Sequence, residues 1–282
     1  MTAPVPRSTA ALVTGCSSGI GRAAALALHE AGHPVFATAR RPETLGDLAD
    51  RGITTLALDV TDELSMVAAV EGVVGEHGAV GVLVNNAGYA LQAPIEEGAM
   101  DDVRREVETN VFGLTRLVQL VLPGMRAQGW GRIVNIGSMG GRFTFAGGGF
   151  YHASKHAVEA ISDALRLEVA PFGVRVSLVQ PGPVQTAFGE AALETMDLPD
   201  GGPYEQFHTD LAARFAQAYG PKAAKSNVTP EAVAKAIVAA AGDHPRPRYA
   251  VGVLAKTLIT TRRLTPDVVW DGLMRRVWPT PH

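Results

Sequence analysis

One segment limits this chain more than any other. A short apolar run ends in Thr14-Gly15-Cys16-Ser17-Ser18-Gly19-Ile20-Gly21, and an Ala/Leu-rich helical stretch follows at once. Glycines allow a tight turn and let phosphate oxygens approach main-chain N–H groups. The helix behind them offers unpaired donors and the positive end of its dipole. The spacing is GxxxGxG rather than the commoner GxGxxG. Cys16, Ser17 and Ser18 are candidates to touch phosphate, with a purely structural Cys16 at least as well supported.

The rest of the chain repeats the same alternation. Apolar runs at 10–14, 34–38, 53–59, 80–85, 132–136, 174–179 and 249–253 read as strands. They are continuous rather than alternating, as strands covered on both faces require. Helical stretches fall at 19–31, 62–77, 100–128 and 151–171. Repeated strand–helix–strand order implies right-handed crossovers and a parallel, doubly wound α/β sheet. With no repeat or linker, residues 1–282 read as a single dinucleotide-binding catalytic domain.

The stretch 185–227 breaks the rhythm. Within it Tyr204, Phe207, Leu211, Phe215 and Tyr219 fall near helical spacing, so one helix there is amphipathic. A connection this long in an α/β domain is expected to be a mobile helical lid over substrate. Thr229-Pro230-Glu231 combines an N-cap, a first-turn proline and a first-turn acid. Thr265-Pro266-Asp267 repeats that signal inside a C-terminal helical extension at about 255–282.

Composition removes several function classes. Hydrophobic residues make up 46% and charged residues 19%, enough for a large core and incompatible with global disorder. The 25 basic and 28 acidic side chains give net charge −3, which argues against a nucleic-acid partner. Cys16 is the only cysteine, so an intrachain disulfide and a cysteine-built zinc site are excluded, and no metal is expected. No run of 18 apolar residues and no targeting pattern is visible, so a cytoplasmic protein without a membrane span is expected.

A second constellation carries chemistry. Tyr151 and Lys155 stand four apart at the start of a helix, on one face. Ser138 follows the strand at 132–136, at the carboxyl end where open α/β sheets hold ligands. A phenol is a poor base near neutrality, and a nearby ammonium favours the phenolate. Tyr151 can then move a proton to or from an alcohol oxygen, with Ser138 fixing the same oxygen.

Taken together these residues resemble the short-chain dehydrogenase/reductase family over about 9–188. The resemblance is carried by TGCSSGIG at 14–21, Asp59-Val60, Asn85-Asn86-Ala87-Gly88, Asn110, Ser138, Tyr151 and Lys155, and Pro181-Gly182 with Thr186. After Gly189 the likeness loosens towards hydroxysteroid and retinol dehydrogenases. It implies a Rossmann-type domain with a seven-stranded parallel sheet. Tyr151 would be the acid/base, Lys155 the holder of nicotinamide-ribose hydroxyls, and Ser138 the group that orients the substrate. Asn110 would hold a water linking Lys155 to solvent. Gly15, Ser17, Ser18, Gly19, Ile20 and Gly21 would cradle phosphate. Asp59 would bond the adenine amino group beside Val60. Asn86, Ala87 and Gly88 would line the cofactor, with Pro181, Gly182, Val184 and Thr186 around the nicotinamide. The pocket would include Tyr89, Leu91, Met139, Phe143, Phe150, Val184 and Phe188, while His152 and His156 read as structural or exposed.

The expected activity is interconversion of a secondary alcohol and a ketone, with an apolar small-molecule substrate. A non-catalytic NADP-binding protein and an epimerase or dehydratase relative are the competing classes. The complete Ser138/Tyr151/Lys155 set opposes the first, and the glycine spacing opposes the second. NAD sites of this family carry an acid 18 residues past the last loop glycine; here that position is Ala39, followed by Arg40 and Arg41. Arg40 therefore favours NADP(H) over NAD(H). The family commonly forms homodimers or homotetramers through the helices after Asn110 and from Tyr151.

Overall fold

A computed structural model describes residues 7–189, 192, 196, 202–220, 223 and 227–281. Its strands are β1 (Ala11–Val13), β2 (Val35–Ala39), β3 (Thr54–Ala57), β4 (Val82–Asn85), β5 (Gly131–Ile136), β6 (Val174–Pro181) and β7 (Arg248–Val251). They form one sheet in the order β3-β2-β1-β4-β5-β6-β7. Every pairing is parallel, with Ala11 opposite both Val35 and Val82. This is the expected seven-stranded Rossmann-type sheet.

Both faces are covered, which explains the continuous apolar runs. On one side Ala11, Val13, Val82 and Val84 pack beneath α1 (Gly19–Glu30) and a helix at Pro230–Ala241, against Leu28, Val233 and Ile237. On the other, Leu12 and Leu83 pack against α3 (Glu63–His77), a helix at Leu114–Ala127 and another at Gly149–Val169, through Val73, Leu117 and Val158. A short α2 spans Gly46–Ala49. Asp62 caps α3 by accepting from Leu64 N at 2.9 Å and Ser65 N at 3.2 Å. Gly78 ends that helix with φ +77°, a conformation open to glycine.

The helical stretch read at 100–128 is not one helix. α4 (Met100–Val107) passes through a π-helical turn, Glu108–Gly113, into α5 (Leu114–Ala127). A Cβ on Gly113 would lie 2.2 Å from Val60 O, so the chain passes hard against the end of β3. π-turns of this kind are concentrated at functional sites. Here the turn carries Asn110, which is buried.

α6 (Gly149–Val169) follows β5 and carries Tyr151 and Lys155. Glu159, one turn beyond Lys155, accepts from Gln180 at the end of β6 and from Arg248 Nη2 at 2.9 Å. α6 is thereby tied to β6 and β7.

Beyond β6, α7 (Glu205–Tyr219) is the expected amphipathic helix, with Phe207, Leu211 and Phe215 buried. The remainder of the stretch proposed as a lid, at 190–191, 193–195, 197–201, 221–222 and 224–226, lies outside the described residues. α8 (Pro230–Ala241) begins as its sequence signal indicated, with Thr229 Oγ1 accepting from Ala232 N at 3.2 Å.

Two boundaries differ from the sequence reading. β7 ends at Val251, because Gly252 turns the chain at φ +96° into α9 (Val253–Leu264). Thr265 does not cap α10 (Asp267–Val277); its hydroxyl donates to Thr261 O at 2.6 Å and Pro266 takes the cap position. Among the described residues no helix is long and apolar enough to cross a membrane.

Candidate active site

A cleft of about 1130 Å³ opens at the carboxyl ends of the strands, between β1 and β4 where the strand order reverses. Ligands of open α/β sheets bind at such a crossing point. The glycine loop forms one wall. Gly15 and Gly19 have φ of +71° and +56°, which side chains rarely adopt. A Cβ on Gly19 would meet Thr186 Cγ2 at 2.8 Å. Ser17 and Ser18 are exposed on the cleft, and Ser18 precedes α1 with extended backbone and no side-chain cap bond. Its hydroxyl and the first N–H groups of α1 are therefore left to a ligand.

The loop is braced from β4. Asn86 Nδ2 donates to Thr14 O at 2.9 Å and Gly15 O at 3.1 Å. The Thr14 hydroxyl accepts from the N–H groups of Asn86 and Ala87, both at 2.9 Å. Gly21 does not line the cleft. It sits behind the loop, where a Cβ would lie 2.3 Å from Gly15 O. Cys16 is also off the cleft: it is buried, donates to Val13 O at 3.2 Å, and burial pushes its thiol up to about 12. It is a core residue.

Asp59, Val60 and Arg40 line the far end. One Asp59 oxygen accepts from Thr61 N at 2.9 Å and Thr61 Oγ1 at 2.8 Å, so this aspartate does hold its own turn. Arg40 is exposed at the cleft edge directly after buried Ala39. Ile20, Asn86, Ala87, Gly88, Pro181, Gly182, Val184 and Thr186 complete the lining expected for a dinucleotide. Size, glycine conformation and free donors all fit such a group.

Ser138, Tyr151 and Lys155 converge on the cleft from β5 and α6. Ser138 caps a short turn by accepting from Gly140 N at 3.0 Å, and its hydroxyl is hydrogen-bonded to the Tyr151 phenol. Lys155 Nζ lies 5.8 Å from the Tyr151 ring centre and donates to Ile136 O at 3.0 Å. Asn110 is not on the cleft wall. Its Nδ2 donates to Tyr89 O at 2.9 Å and Ser154 Oγ at 3.0 Å, and its Oδ1 accepts from Tyr89 N at 3.1 Å. A Cβ on Gly88 would meet that Oδ1 at 2.7 Å and Lys155 Nζ at 3.8 Å, so both groups converge under Gly88.

The electrostatics correct one expectation. Burial dominates at Tyr151 and raises its pKa, with the Ser138 hydrogen bond pulling the other way. Burial also lowers Lys155 to about 8, opposed by the carboxylate of Glu106. A depressed phenol is thus not a property of the protein groups alone.

The pocket reading was also partly displaced. Tyr89, Leu91, Met139, Val184 and Phe188 line the cleft. Phe150 instead packs on Gly98, and Phe143 sits in the core between His152 and Trp270. His152 lines the cleft and is buried, with burial lowering it to about 4; His156 is exposed. Four residues outside that reading, Phe145, Met196, Phe215 and Tyr219, also face the cleft. Trp278 closes the rear of this wall, stacking on Phe145 at 3.9 Å between ring centres and donating from Nε1 to Ala146 O at 2.9 Å. No local motif marks these residues; only the tertiary fold brings them together.

With this geometry in view, the similarities to known proteins fall into place. The family model described as short chain dehydrogenase matches residues 9–197. The chain belongs to the short-chain dehydrogenase family and is an oxidoreductase acting on CH–OH groups. It is 43% identical over 178 residues to a 3-ketodihydrosphingosine reductase of Bacteroides thetaiotaomicron, covering 63% of this chain and 64% of that protein. It is 42% identical over 189 residues to an NADPH-dependent 1-acyldihydroxyacetone phosphate reductase of Schizosaccharomyces pombe, covering 66% of this chain and 63% of that one. The matches thus span just under two thirds of both relatives. A short-chain dehydrogenase structure from Streptomyces avermitilis superposes with TM-score 0.74 at 35% identity, covering 95% of each chain. Neighbours of this fold are known with NADP and with NAD, so the fold alone does not choose the cofactor.

Proposed function

We propose that this chain is an NADP(H)-dependent oxidoreductase that interconverts a ketone and a secondary alcohol carried on an apolar substrate. The observation behind this reading is the Tyr151 phenol, hydrogen-bonded to Ser138 on the rim of a dinucleotide-sized cleft with Lys155 beneath it. A bound nicotinamide would supply or accept the hydride. In reduction, Tyr151 donates its proton to the carbonyl oxygen, and Ser138 holds the same oxygen in place. Lys155 positions ribose hydroxyls and places positive charge near the phenol, favouring the phenolate left after transfer. Gly15, Gly19 and the N-terminus of α1 hold the phosphates. Asp59 and Val60 hold the adenine, and Thr186 and Val184 the nicotinamide side.

The aromatic and aliphatic wall of Leu91, Met139, Phe145, Phe188 and Phe215 favours an apolar substrate body. The relatives named above are reductases of 3-ketodihydrosphingosine and of 1-acyldihydroxyacetone phosphate, and the acyl part of the second agrees with that wall. Phe188 stands 5.8 Å from the Tyr151 ring, and α7 brings Phe215 over the same space, so the described part of 185–227 is read as the lid. We read 1–282 as one catalytic domain working in the cytoplasm. Following NADPH absorbance with a panel of ketones and alcohols tests the activity. No turnover with any of them would refute it.

The cofactor assignment rests on Arg40. A guanidinium makes paired, charge-assisted bonds to phosphate, while Ala39 offers no acceptor for a ribose hydroxyl. NADPH is expected to exceed NADH by about tenfold or more in kcat/KM, the value of one such contact. Arg40→Ala should raise KM for NADPH with less effect on NADH. Ala39→Asp should move preference towards NADH by repelling the phosphate. Equal use of both cofactors by the wild type would overturn the assignment.

A homodimer or homotetramer is also proposed. Val158, Leu165 and Val169 of α6 serve the chain's own core, while Phe112, Leu167 and Phe172 are exposed on the opposite faces of the same helical layer. Light scattering at micromolar concentration should read a multiple of the 29.6 kDa chain, and a monomer would exclude it.

A further inference from the structure

Glu106 is fully buried, on α4 one turn before Asn110. Its Oε1 accepts from Leu91 N at 3.0 Å and lies 3.5 Å from Asn110 Nδ2. Its Oε2 is buried with no hydrogen-bond partner among the described residues. A buried carboxylate is costly without a compensating charge. Holding the Leu91 N–H does not require one, because a glutamine oxygen would accept that bond equally well. The charge therefore needs a second reason.

The surroundings supply it. Lys155 is the cation that acts on Glu106, and Glu106 is the anion that acts on Lys155. Among the described residues Glu106 also acts on Tyr151, on the same face of α6, and on Tyr89 after β4. Arg105 offsets it at Tyr89, and Tyr219 of α7 acts on Tyr151 in the same sense as Glu106. Among the described residues the Lys155 ammonium donates to one acceptor, the neutral carbonyl of Ile136.

We propose that Glu106 is a positioning residue of this site, whose buried carboxylate keeps Lys155 an ammonium and holds the Asn110 carboxamide beside it. This rests on the reading of Lys155 as the cation that works with Tyr151. The directions agree: burial drags Lys155 down, to about 8 even with Glu106 opposing the fall. Glu106 is itself raised by burial to about 7, with the Leu91 N–H and Lys155 pulling it back.

The decisive measurement needs no turnover. The chain has five lysines, so 13Cε-lysine NMR can follow each, with Lys155 assigned through Lys155→Arg. Glu106→Gln keeps the Leu91 acceptor and removes the charge. It should move the Lys155 midpoint down by about one pH unit or more, the size of a nearby charge at partial burial. Glu106→Asp keeps the charge and should move it by less than about half that. An unmoved midpoint in folded Glu106→Gln, or equal displacement in both variants, overturns the proposal. Should Glu106→Gln not fold, the reciprocal test stands: in Lys155→Met the Glu106 carboxyl should titrate at higher pH than in wild type, and no rise overturns it. In turnover, the alkaline limb of kcat/KM for reduction should shift to lower pH in Glu106→Gln but not in Glu106→Asp. Failure of wild-type turnover would strike the functional reading, while the NMR titration would still decide the coupling.

Discussion

Tyr151→Phe is expected to lose at least about 100-fold in kcat, the lower end for removal of a general acid–base group. The ring contacts survive this change. Phe188 still meets an aromatic face, and the aromatic neighbours Phe145 and Phe215 are undisturbed. Only the hydroxyl that reaches Ser138 is removed. NADPH affinity, followed by fluorescence titration, should stay within about twofold of wild type, because the phenol's role is at the substrate oxygen. A variant with near-normal kcat would remove Tyr151 from the mechanism. One with intact kcat but lost cofactor affinity would reassign it to binding.

Gly21→Ala is expected to be nearly as damaging, for a different reason. The added methyl would fall 2.3 Å from Gly15 O and 2.5 Å from Asn86 Nδ2. Neither neighbour can yield freely. Gly15 holds a left-handed turn, and the Asn86 amide is committed to Thr14 and Gly15 oxygens. Overpacking of this kind costs about 1–3 kcal/mol or more. Much of that strain should fall on the phosphate cradle. NADPH affinity should drop about tenfold or further, and the thermal midpoint should fall. Gly32→Ala, just past the C-terminal end of the same helix, is the control for glycine loss: no atom lies within 4 Å of its added Cβ, though its φ of +89° brings some strain. Cofactor binding unaffected in Gly21→Ala would show that the loop can move aside.

These two residues also show how much was readable from sequence. The glycine loop and the Tyr151/Lys155 pair are local patterns, fixed by spacing along one turn or one helix face, and Ser138 is placed by following the strand β5. The sheet followed from runs such as 10–14 and 80–85, whose alternate residues are buried on opposite faces. What was not readable depends on distant contacts. At the π-turn Glu108–Gly113, Gly113 lies against Val60, some fifty positions earlier. Glu106 looks like one more acid in an acidic, basic helix start until α6 is packed against it. Phe150 was placed in the pocket by the family resemblance, yet its helix turns it towards Gly98. Trp278 reaches Ala146 across 132 positions. Burial, too, reversed the simple expectation for the Tyr151 phenol, since proximity to an ammonium was legible and desolvation was not.

The order of the strands has a consequence for how such a chain matures. The first half of the cradle, Thr14 to Gly21, leaves the ribosome about seventy residues ahead of the strand that completes it. Until β4 docks on β1, Asn86 is not there to hold the turn, and the glycines are an unrestrained loop. All neighbours in this sheet are joined by crossovers, so no local hairpin can shorten the search, and folding of such high contact order is slow. The cofactor can therefore reward only the late, assembled state. For a nascent chain in the cell, nucleotide capture would act as a final check on assembly rather than as a template for it.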